Sequence, residues 1–435
     1  MSAKNKTAEI LHNIIVGLAV SIVMLNLGAA LGILSERGAF AGMLSAGIIA
    51  LITSAFGGTH IQGSGLTAPM STVTAVVVAY AVEQLPSEVF GYNANHFVNI
   101  VLLQTALLMI FFSITKLGRF ITYVPNLVVS GFMCGIAIII WTLQIDLLLG
   151  LDRTPIEGSV LANTSIALTT LIISFLAPMI LKKVSKKLAS FLPGTLIALI
   201  VVSLIASVLQ LQVGYLSIEN PLKSLSDLQS LVTSQIPDVV NSQILILAFP
   251  FAIKLAALCY IDTLLTSLIV DKMRGSKTRQ NKELAAQGIA IGSVSLIGGI
   301  PGAQSTVPSV LTIKEGASMR LAGVCAGLFI IVELILFSDY MNYIPQAVFS
   351  GILLKVGYDV FDFKPLAAYW RTLQKQAKKM PTKIMGHKEM TFLSGTAIVT
   401  AFIDLITAVG AFTFGYHIFN HYRKKTKSLR DYVPG

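Results

Sequence analysis

Long apolar stretches with few or no charged residues recur along the whole sequence and limit what it can fold into. Residues 102–114, 129–149 and 197–209 are examples. A helix that crosses a bilayer needs about 20 mostly apolar residues. Only 12% of the residues are charged, against about 25% in an ordinary soluble domain, so the chain has too few charges to cover a water-facing surface. We therefore expect a multi-pass membrane protein.

The basic residues are distributed unevenly and predict an orientation. A topology of fourteen passes with the N-terminus in the cytoplasm leaves only Arg37, Arg153 and Lys223, of 32 basic residues, in outside loops. This bias is typical of inner-membrane proteins. We expect both termini in the cytoplasm, and the net charge of +11 needs no nucleic-acid partner. The predicted cytoplasmic clusters are residues 116–119, 182–187, 272–282, 355–388 and 423–430.

A short internal repeat predicts two halves of opposite orientation. YVPNLVVSG at residues 123–131 matches YIPQAVFSG at residues 343–351 in five of nine positions. Basic residues precede the first copy and Asp339 precedes the second, so the two enter the membrane from opposite sides. Inverted repeats are a hallmark of alternating-access carriers. Chance similarity between apolar segments is the alternative.

The repeat predicts an all-α fold of fourteen transmembrane helices in a seven-plus-seven inverted arrangement. Its predicted segments are a first repeat at residues 1–211, an outside loop at 212–240, a second repeat at 241–422 and a basic cytoplasmic tail at 423–435.

Two segments rich in glycine and proline interrupt the predicted third and tenth passes. They are GGTHIQGSGLTAP at residues 57–69 and GGIPGAQSTVP at residues 298–308. Paired interruptions of this kind indicate a binding site near the middle of the membrane. Half-helices that start near Thr67 and Ser305 would aim free N–H groups and positive dipole ends at an anion, and we expect the two hydroxyls to cap them. Two merely kinked structural helices are the alternative.

Asp262 lies in the middle of the predicted eighth pass, within YIDTLLTS at residues 260–267. An intramembrane carboxylate is costly and commonly functional. Thr266 lies four residues further on the same helix face, so the pair suits a hard cation with oxygen ligands. We expect Na⁺ as the coupling ion, with H⁺ carried by Asp262, or a structural hydrogen bond, as alternatives. Lys254 either draws anions inward or extends to the outer interface.

The sequence shows no pattern typical of an enzyme. It has no paired-carboxylate cleft, nucleophile elbow or phosphate-binding loop, and its three cysteines and six histidines lack metal-ligand spacing. We expect a transporter, and a passive anion channel or a membrane-anchored sensor remains an alternative from another class.

Several motifs resemble those of the sulfate permease (SulP) anion transporters, and especially the BicA-type sodium-dependent bicarbonate carriers of that family. They are IDTLLTS at 261–267, NKELAAQG at 281–288, GGIPGA at 298–303, YIPQA at 343–347, GGT at 57–59 and SGLTAPM at 64–70. The resemblance extends over nearly the whole chain.

This resemblance implies a core domain of passes 1 to 4 and 8 to 11, a gate domain of the remaining passes, and an elevator-like movement between them. It implies secondary active transport of a small inorganic anion. The implied substrate-binding residues are Thr67, Ala68, Gln304, Ser305 and Thr306, and the implied sodium ligands are Asp262 and Thr266.

The sequence departs from the family pattern in ways that affect the substrate. Pro308 stands where many relatives carry a basic residue, which favours a monovalent anion such as bicarbonate, carried with Na⁺, over sulfate. Leu66 replaces a frequent proline, and the first pass has Leu25 and Asn26 where relatives commonly have proline and an acidic or amide residue. A symporter or exchanger of sulfate or another anion, and a nucleobase carrier of the same fold, are the alternatives.

Members of this family usually carry a cytoplasmic STAS domain after the last helix. The sequence ends soon after Tyr422 and leaves no room for one, either naturally or through truncation. We expect any homodimer to be weaker than in relatives.

Overall fold

The computed structural model describes residues 3–85, 93–151, 156–184, 194–215, 232–235, 242–337, 343–374, 385–403, 405–422 and residue 429. Of these, nearly all belong to helices, and an all-α fold is confirmed. The helices are α1 Ala3–Leu34, α2 Ala39–Phe56, α3 Ala68–Gln84, α4 Ala94–Ile114, α5 Asn126–Leu149, α6 Val160–Val184, α7 Gly194–Val208, α8 Ser242–Arg274, α9 Gln280–Ser295, α10 Thr306–Lys314, α11 Leu321–Phe337, α12 Gln346–Val360, α13 Phe363–Leu373, α14 His387–Phe402 and α15 Leu405–Tyr422.

The helices follow the order expected of the fourteen passes, which correspond to α1 to α12, α14 and α15. Six of the described helices are long and apolar enough to cross a bilayer by length and composition alone, and they are α1, α2, α4, α5, α6 and α8. Helix α10 has only nine residues, as expected for an interrupted pass. Helix α13 lies within the basic stretch 355–388 that the sequence predicts to lie on the inner leaflet.

The two copies of the internal repeat adopt the same local structure. Helix α5 begins directly after Pro125 and α12 directly after Pro345. The glycine that ends each copy allows a close helix contact, because a Cβ on Gly131 would meet α14 and a Cβ on Gly351 would meet α6. The two contacts are equivalent in the repeat. If each pass is exchanged with the pass seven places away in the chain, the contact of α5 with α14 becomes the contact of α12 with α6.

Other helix pairs obey the same exchange. The contact between α4 and α9 corresponds to the contact between α11 and α2. The contact between α1 and α11 corresponds to that between α8 and α4, and the contact between α1 and α2 corresponds to that between α8 and α9. These equivalent pairs are what a seven-plus-seven repeat requires.

The chain forms two compact units, one of residues 1–119 and 148–352 and the other of residues 120–147 and 353–435. The first contains both interrupted passes. The second has a small apolar core in which Leu127 and Cys134 of α5 pack with Leu393 and Ala397 of α14. The predicted grouping into core and gate helices stays a prediction. Most of the predicted loop 212–240 and of the tail 423–435 lies outside the described residues.

Candidate functional site

The two interrupted segments meet as a two-stranded antiparallel sheet. Strand β1, Ser64–Gly65, pairs with strand β2, Ala303–Gln304, in the register Ser64 to Gln304 and Gly65 to Ala303. The pairing requires glycine at position 302, because a Cβ there would collide with the carbonyl oxygen of Gly65. The backbone N–H of Ser305 extends the contact by donating to Gly63 O at 3.1 Å. Two segments that are far apart in the sequence therefore share one location.

A helix starts immediately after each strand, as predicted. Thr67 is the N-cap residue of α3 and Ser305 is the N-cap residue of α10, and both have extended backbones. The first N–H groups of a helix have no intrahelical acceptor and carry the positive end of its dipole. The paired strands thus bring two such helix starts together, which is the arrangement that suits an anion.

The predicted capping by the two hydroxyls is wrong. Neither Thr67 nor Ser305 makes a side-chain hydrogen bond to its own helix. The Thr67 hydroxyl instead donates to Asp262 Oδ2 of α8 at 2.9 Å. A hydroxyl caps a helix by accepting from its first N–H groups, and the strong bond to the charged carboxylate orients the Thr67 hydroxyl towards α8 instead.

One face of α8 makes a series of contacts with the second interrupted segment, residues 298–308. The Cys259 thiol donates to Gly302 O at 3.4 Å, and Thr263 Oγ1 accepts from the backbone N–H of Gln304 at 3.3 Å. One turn further, the hydroxyls of Thr266 and Thr306 lie 2.9 Å apart. These positions follow the three-to-four-residue spacing of one helix face. Helix α8 therefore runs alongside β2 and the start of α10.

The side-chain oxygen atoms at these contacts are of the type that a hard cation binds. The carboxylate of Asp262 and the hydroxyls of Thr67, Thr266 and Thr306 are all oxygen donors, which Na⁺ requires. No group of three or more His, Cys, Asp or Glu side chains forms a transition-metal site within the described part of the chain. The residues named for sodium, Asp262 and Thr266, thus stand beside the residues named for the anion.

The predicted anion residues differ in exposure. Thr306 is exposed, Thr67 and Ser305 are half-buried, and Ala68 and Gln304 are buried. The Gln304 side chain accepts from the Thr59 hydroxyl at 3.3 Å. Its Nε2 is buried and has no acceptor among the described residues. An unpaired buried N–H donor is costly unless a ligand or water accepts from it.

A comparison with known proteins decides the family. The model of the sulfate permease family matches residues 10–380. The chain belongs to the sulfate permease family. It is therefore a multi-pass membrane protein of an anion transporter family and not an enzyme.

Three curated relatives are 27–30% identical to this chain. The bicarbonate transporter BicA of Picosynechococcus sp. is 30% identical over 419 residues, which cover 92% of this chain and 68% of that protein. BicA of Synechocystis sp. is also 30% identical, over 95% of this chain and 71% of its own length. A Bacillus subtilis protein assigned by name to sulfate transport, YvdB, is 27% identical over 91% of this chain and 71% of its own length.

Solved structures show the same fold. The transmembrane domain of a cyanobacterial BicA superposes with a TM-score of 0.75 at 29% identity, covering 92% of this chain and 97% of that domain. Murine Slc26a9 in an inward-facing state gives a TM-score of 0.73 at 17% identity, covering 94% of this chain and 68% of that chain, a similarity of fold alone. The predicted inverted-repeat membrane fold with broken third and tenth helices is confirmed.

A buried polar network under the site was not predicted. Glu283 in the first turn of α9 accepts from the backbone N–H of Thr59 at 2.9 Å and from Gln287 Nε2 at 3.2 Å. Gln287 also donates to Ser64 Oγ at 3.0 Å. The motif NKELAAQG at 281–288 was available as a signal, since its Glu and Gln lie four residues apart on one helix face. The network fixes the segment that leads into β1.

Proposed function

We propose that this protein takes up bicarbonate by secondary active transport coupled to Na⁺, and that the anion binds at the starts of α3 and α10. The observation that carries the proposal is the pair of contacts from α8, Thr67 to Asp262 and Thr266 to Thr306. They connect α8 to both half-helix starts, with the Asp262 carboxylate at the start of α3 and the Thr266 hydroxyl at the start of α10. Thr67, Ala68, Gln304, Ser305 and Thr306 are the proposed anion residues, and Asp262 and Thr266 are the proposed sodium ligands.

The electrostatics of the site favour coupling. A helix start stabilises an anion by up to about 2 kcal/mol when the geometry is partly buried. The carboxylate of Asp262 opposes anion binding unless a cation neutralises it. Na⁺ at Asp262 would remove this repulsion, so each ion would increase the affinity of the protein for the other by the same factor.

Two arguments favour bicarbonate. Asp262 is the carboxylate that bonds to a proposed anion residue, and no Lys or Arg hydrogen-bonds to these residues in the described part of the chain. Pro308 is buried where many relatives carry a basic residue. A site that relies on helix dipoles and one Na⁺ suits a single negative charge better than two. Two relatives at 30% identity are also named as bicarbonate transporters.

Sulfate is the second candidate. The family is described by sulfate transport, and the Bacillus subtilis relative at 27% identity is assigned to it by name. Sulfate would require a second source of positive charge at the site, which a second cation could supply.

We further propose that the protein lies in the cell inner membrane with both termini in the cytoplasm. The uneven distribution of basic residues supports this orientation. In it, the loops between α8 and α9 and between α10 and α11 face the cytoplasm.

Uptake into proteoliposomes tests the proposal. Labelled bicarbonate, sulfate and uracil are supplied separately, each with an inward Na⁺ gradient, with a K⁺ gradient instead, and with a pH gradient alone. We expect saturable, concentrative uptake of bicarbonate that only the Na⁺ gradient drives. Uptake driven by the pH gradient without Na⁺ would make Asp262 a proton carrier. Equilibrating uptake that follows no gradient would indicate a channel.

A further inference from the structure

Six basic side chains, five of them Lys or Arg and one His, line a polar pocket of about 490 Å³. The pocket lies in the same compact unit, residues 1–119 and 148–352, as the proposed anion site. The six side chains come from three segments, the loop after α2, the end of α8 with the loop and start of α9, and the residue before α11. They are His60, Arg274, Lys277, Arg279, Lys282 and Arg320.

The positive charges in this pocket outnumber the two carboxylates that bond to its walls, where Asp271 accepts from Ser276 Oγ and Glu283 accepts from the backbone N–H of Thr59, next to Gly58. No Asp or Glu is among the described residues that line it. The structure describes no ion pair between these side chains and a carboxylate in the part of the chain that it covers. Five fixed positive charges this close repel one another and create a field that attracts anions. An occupant with several negative charges would relieve the repulsion.

Two of the guanidinium groups are held by backbone carbonyls. Arg274 Nη1 donates to Ala317 O at 2.8 Å, and Arg320 Nη1 donates to Ser54 O at 3.2 Å. Each bond uses one nitrogen, so the remaining N–H groups of both side chains are available to a ligand. Guanidinium groups match the oxygen geometry of phosphate, and a group already held in position loses less entropy on binding.

We propose that this pocket binds an anion that carries phosphate and at least two negative charges. Three arginines and two lysines with an imidazole supply more donors than bicarbonate could use. The phosphate belongs either to a lipid headgroup or to a soluble ligand, and in the proposed orientation the pocket faces the cytoplasm.

The pocket is connected to the anion site through one loop. Gly58 lines the pocket, and its carbonyl accepts from the backbone N–H of Arg279 at 3.4 Å. The next residue, Thr59, contacts Gln304 through its hydroxyl and Glu283 through its backbone. A phosphate bound in the pocket would contact both the segment around Gly58 and the segment around Arg279. It would therefore hold in place the residues that lead into β1.

Two binding measurements on the purified full chain distinguish the sources of phosphate. Calorimetric titration with inorganic pyrophosphate, in nanodiscs of phosphatidylcholine, measures a soluble ligand. Native mass spectrometry measures retention of cardiolipin, whose headgroup carries two phosphates, against phosphatidylcholine. The test variant is Lys277→Gln with Lys282→Gln, since both side chains are exposed. The matched control is Lys182→Gln with Lys183→Gln, which removes the same charge at the exposed end of α6.

We expect the test variant to bind at least one of the two probes about tenfold more weakly than the wild type, and the control to bind like the wild type. Loss of pyrophosphate binding alone assigns the site to a soluble ligand, and loss of cardiolipin retention alone assigns it to a lipid headgroup. Equal binding by the two double variants, or binding of neither probe by the wild type, would overturn the proposal. Unchanged elution in size-exclusion chromatography confirms that both variants are folded.

Discussion

The hydroxyl of Thr67 lies 2.9 Å from Oδ2 of Asp262 and donates a hydrogen bond to it, although the two residues are 195 positions apart. The bond connects the start of the half-helix α3 with the middle of α8. In the proposed mechanism it connects the anion site with the cation site. Changes on either side should therefore affect the binding of both ions.

Replacing Thr67 by valine should weaken bicarbonate and sodium affinity together. The change removes the hydroxyl donor to Asp262 and preserves the shape of the side chain. A hydrogen bond to a charged group is worth about 1.5 to 3 kcal/mol, so we expect the Michaelis constants to rise by about tenfold or more. Thr67→Ser keeps the hydroxyl and should transport nearly like the wild type. Equal constants for Thr67→Val and the wild type would contradict this role.

Ser305→Ala tests the other half-helix start separately. Ser305 is half-buried, and its hydroxyl does not cap its own helix, so in the proposed site it can donate to an anion. We expect a higher Michaelis constant for bicarbonate and an unchanged thermal midpoint of unfolding. An unchanged Michaelis constant would remove Ser305 from the proposed anion site.

Replacing Thr266 by valine should affect sodium more than the anion. The hydroxyl of Thr266 contacts that of Thr306 at 2.9 Å and is one of the proposed sodium ligands. We expect the sodium concentration for half-maximal uptake to rise several-fold, with a smaller effect on the bicarbonate constant at saturating Na⁺. Thr266→Ser is the control that retains the oxygen. A selective loss of bicarbonate affinity would move Thr266 to the anion site.

Gly302→Ala should disrupt the pairing of β1 with β2. Its Cβ would collide with the carbonyl oxygen of Gly65, so the strands must separate. Overpacking of this kind costs about 1 to 3 kcal/mol, and we expect a lower thermal midpoint together with loss of uptake. Gly410→Ala in α15 is the control, because a Cβ there meets no atom within 4 Å. Normal uptake by Gly302→Ala would show that the strand pairing is dispensable.

The sequence predicted the parts of the site that depend on local chemistry. Glycine and proline mark where helices break, so the starts after Thr67 and Ser305 were correct, and the spacing of Asp262 and Thr266 placed them on one helix face. The prediction that the Thr67 hydroxyl caps its own helix was wrong because its hydrogen-bond acceptor, Asp262, lies on α8. The local sequence does not reveal an acceptor that only the tertiary structure brings close. The basic pocket was missed for the same reason, since His60, Arg274 and Arg320 come together only in the fold.

The most direct test of the account is sodium-dependent uptake by Asp262→Asn. The variant keeps the size of the side chain and removes the charge that the proposed cation neutralises. Asp146→Asn, an identical change at an exposed position of α5, is the matched control. Labelled bicarbonate uptake into proteoliposomes is measured with an inward Na⁺ gradient and with K⁺ in its place. We predict that Asp262→Asn loses the response to Na⁺ together with at least nine-tenths of the uptake, an effect of about 1.4 kcal/mol or more, while Asp146→Asn behaves like the wild type. Normal uptake by Asp262→Asn that still responds to Na⁺ would contradict the account.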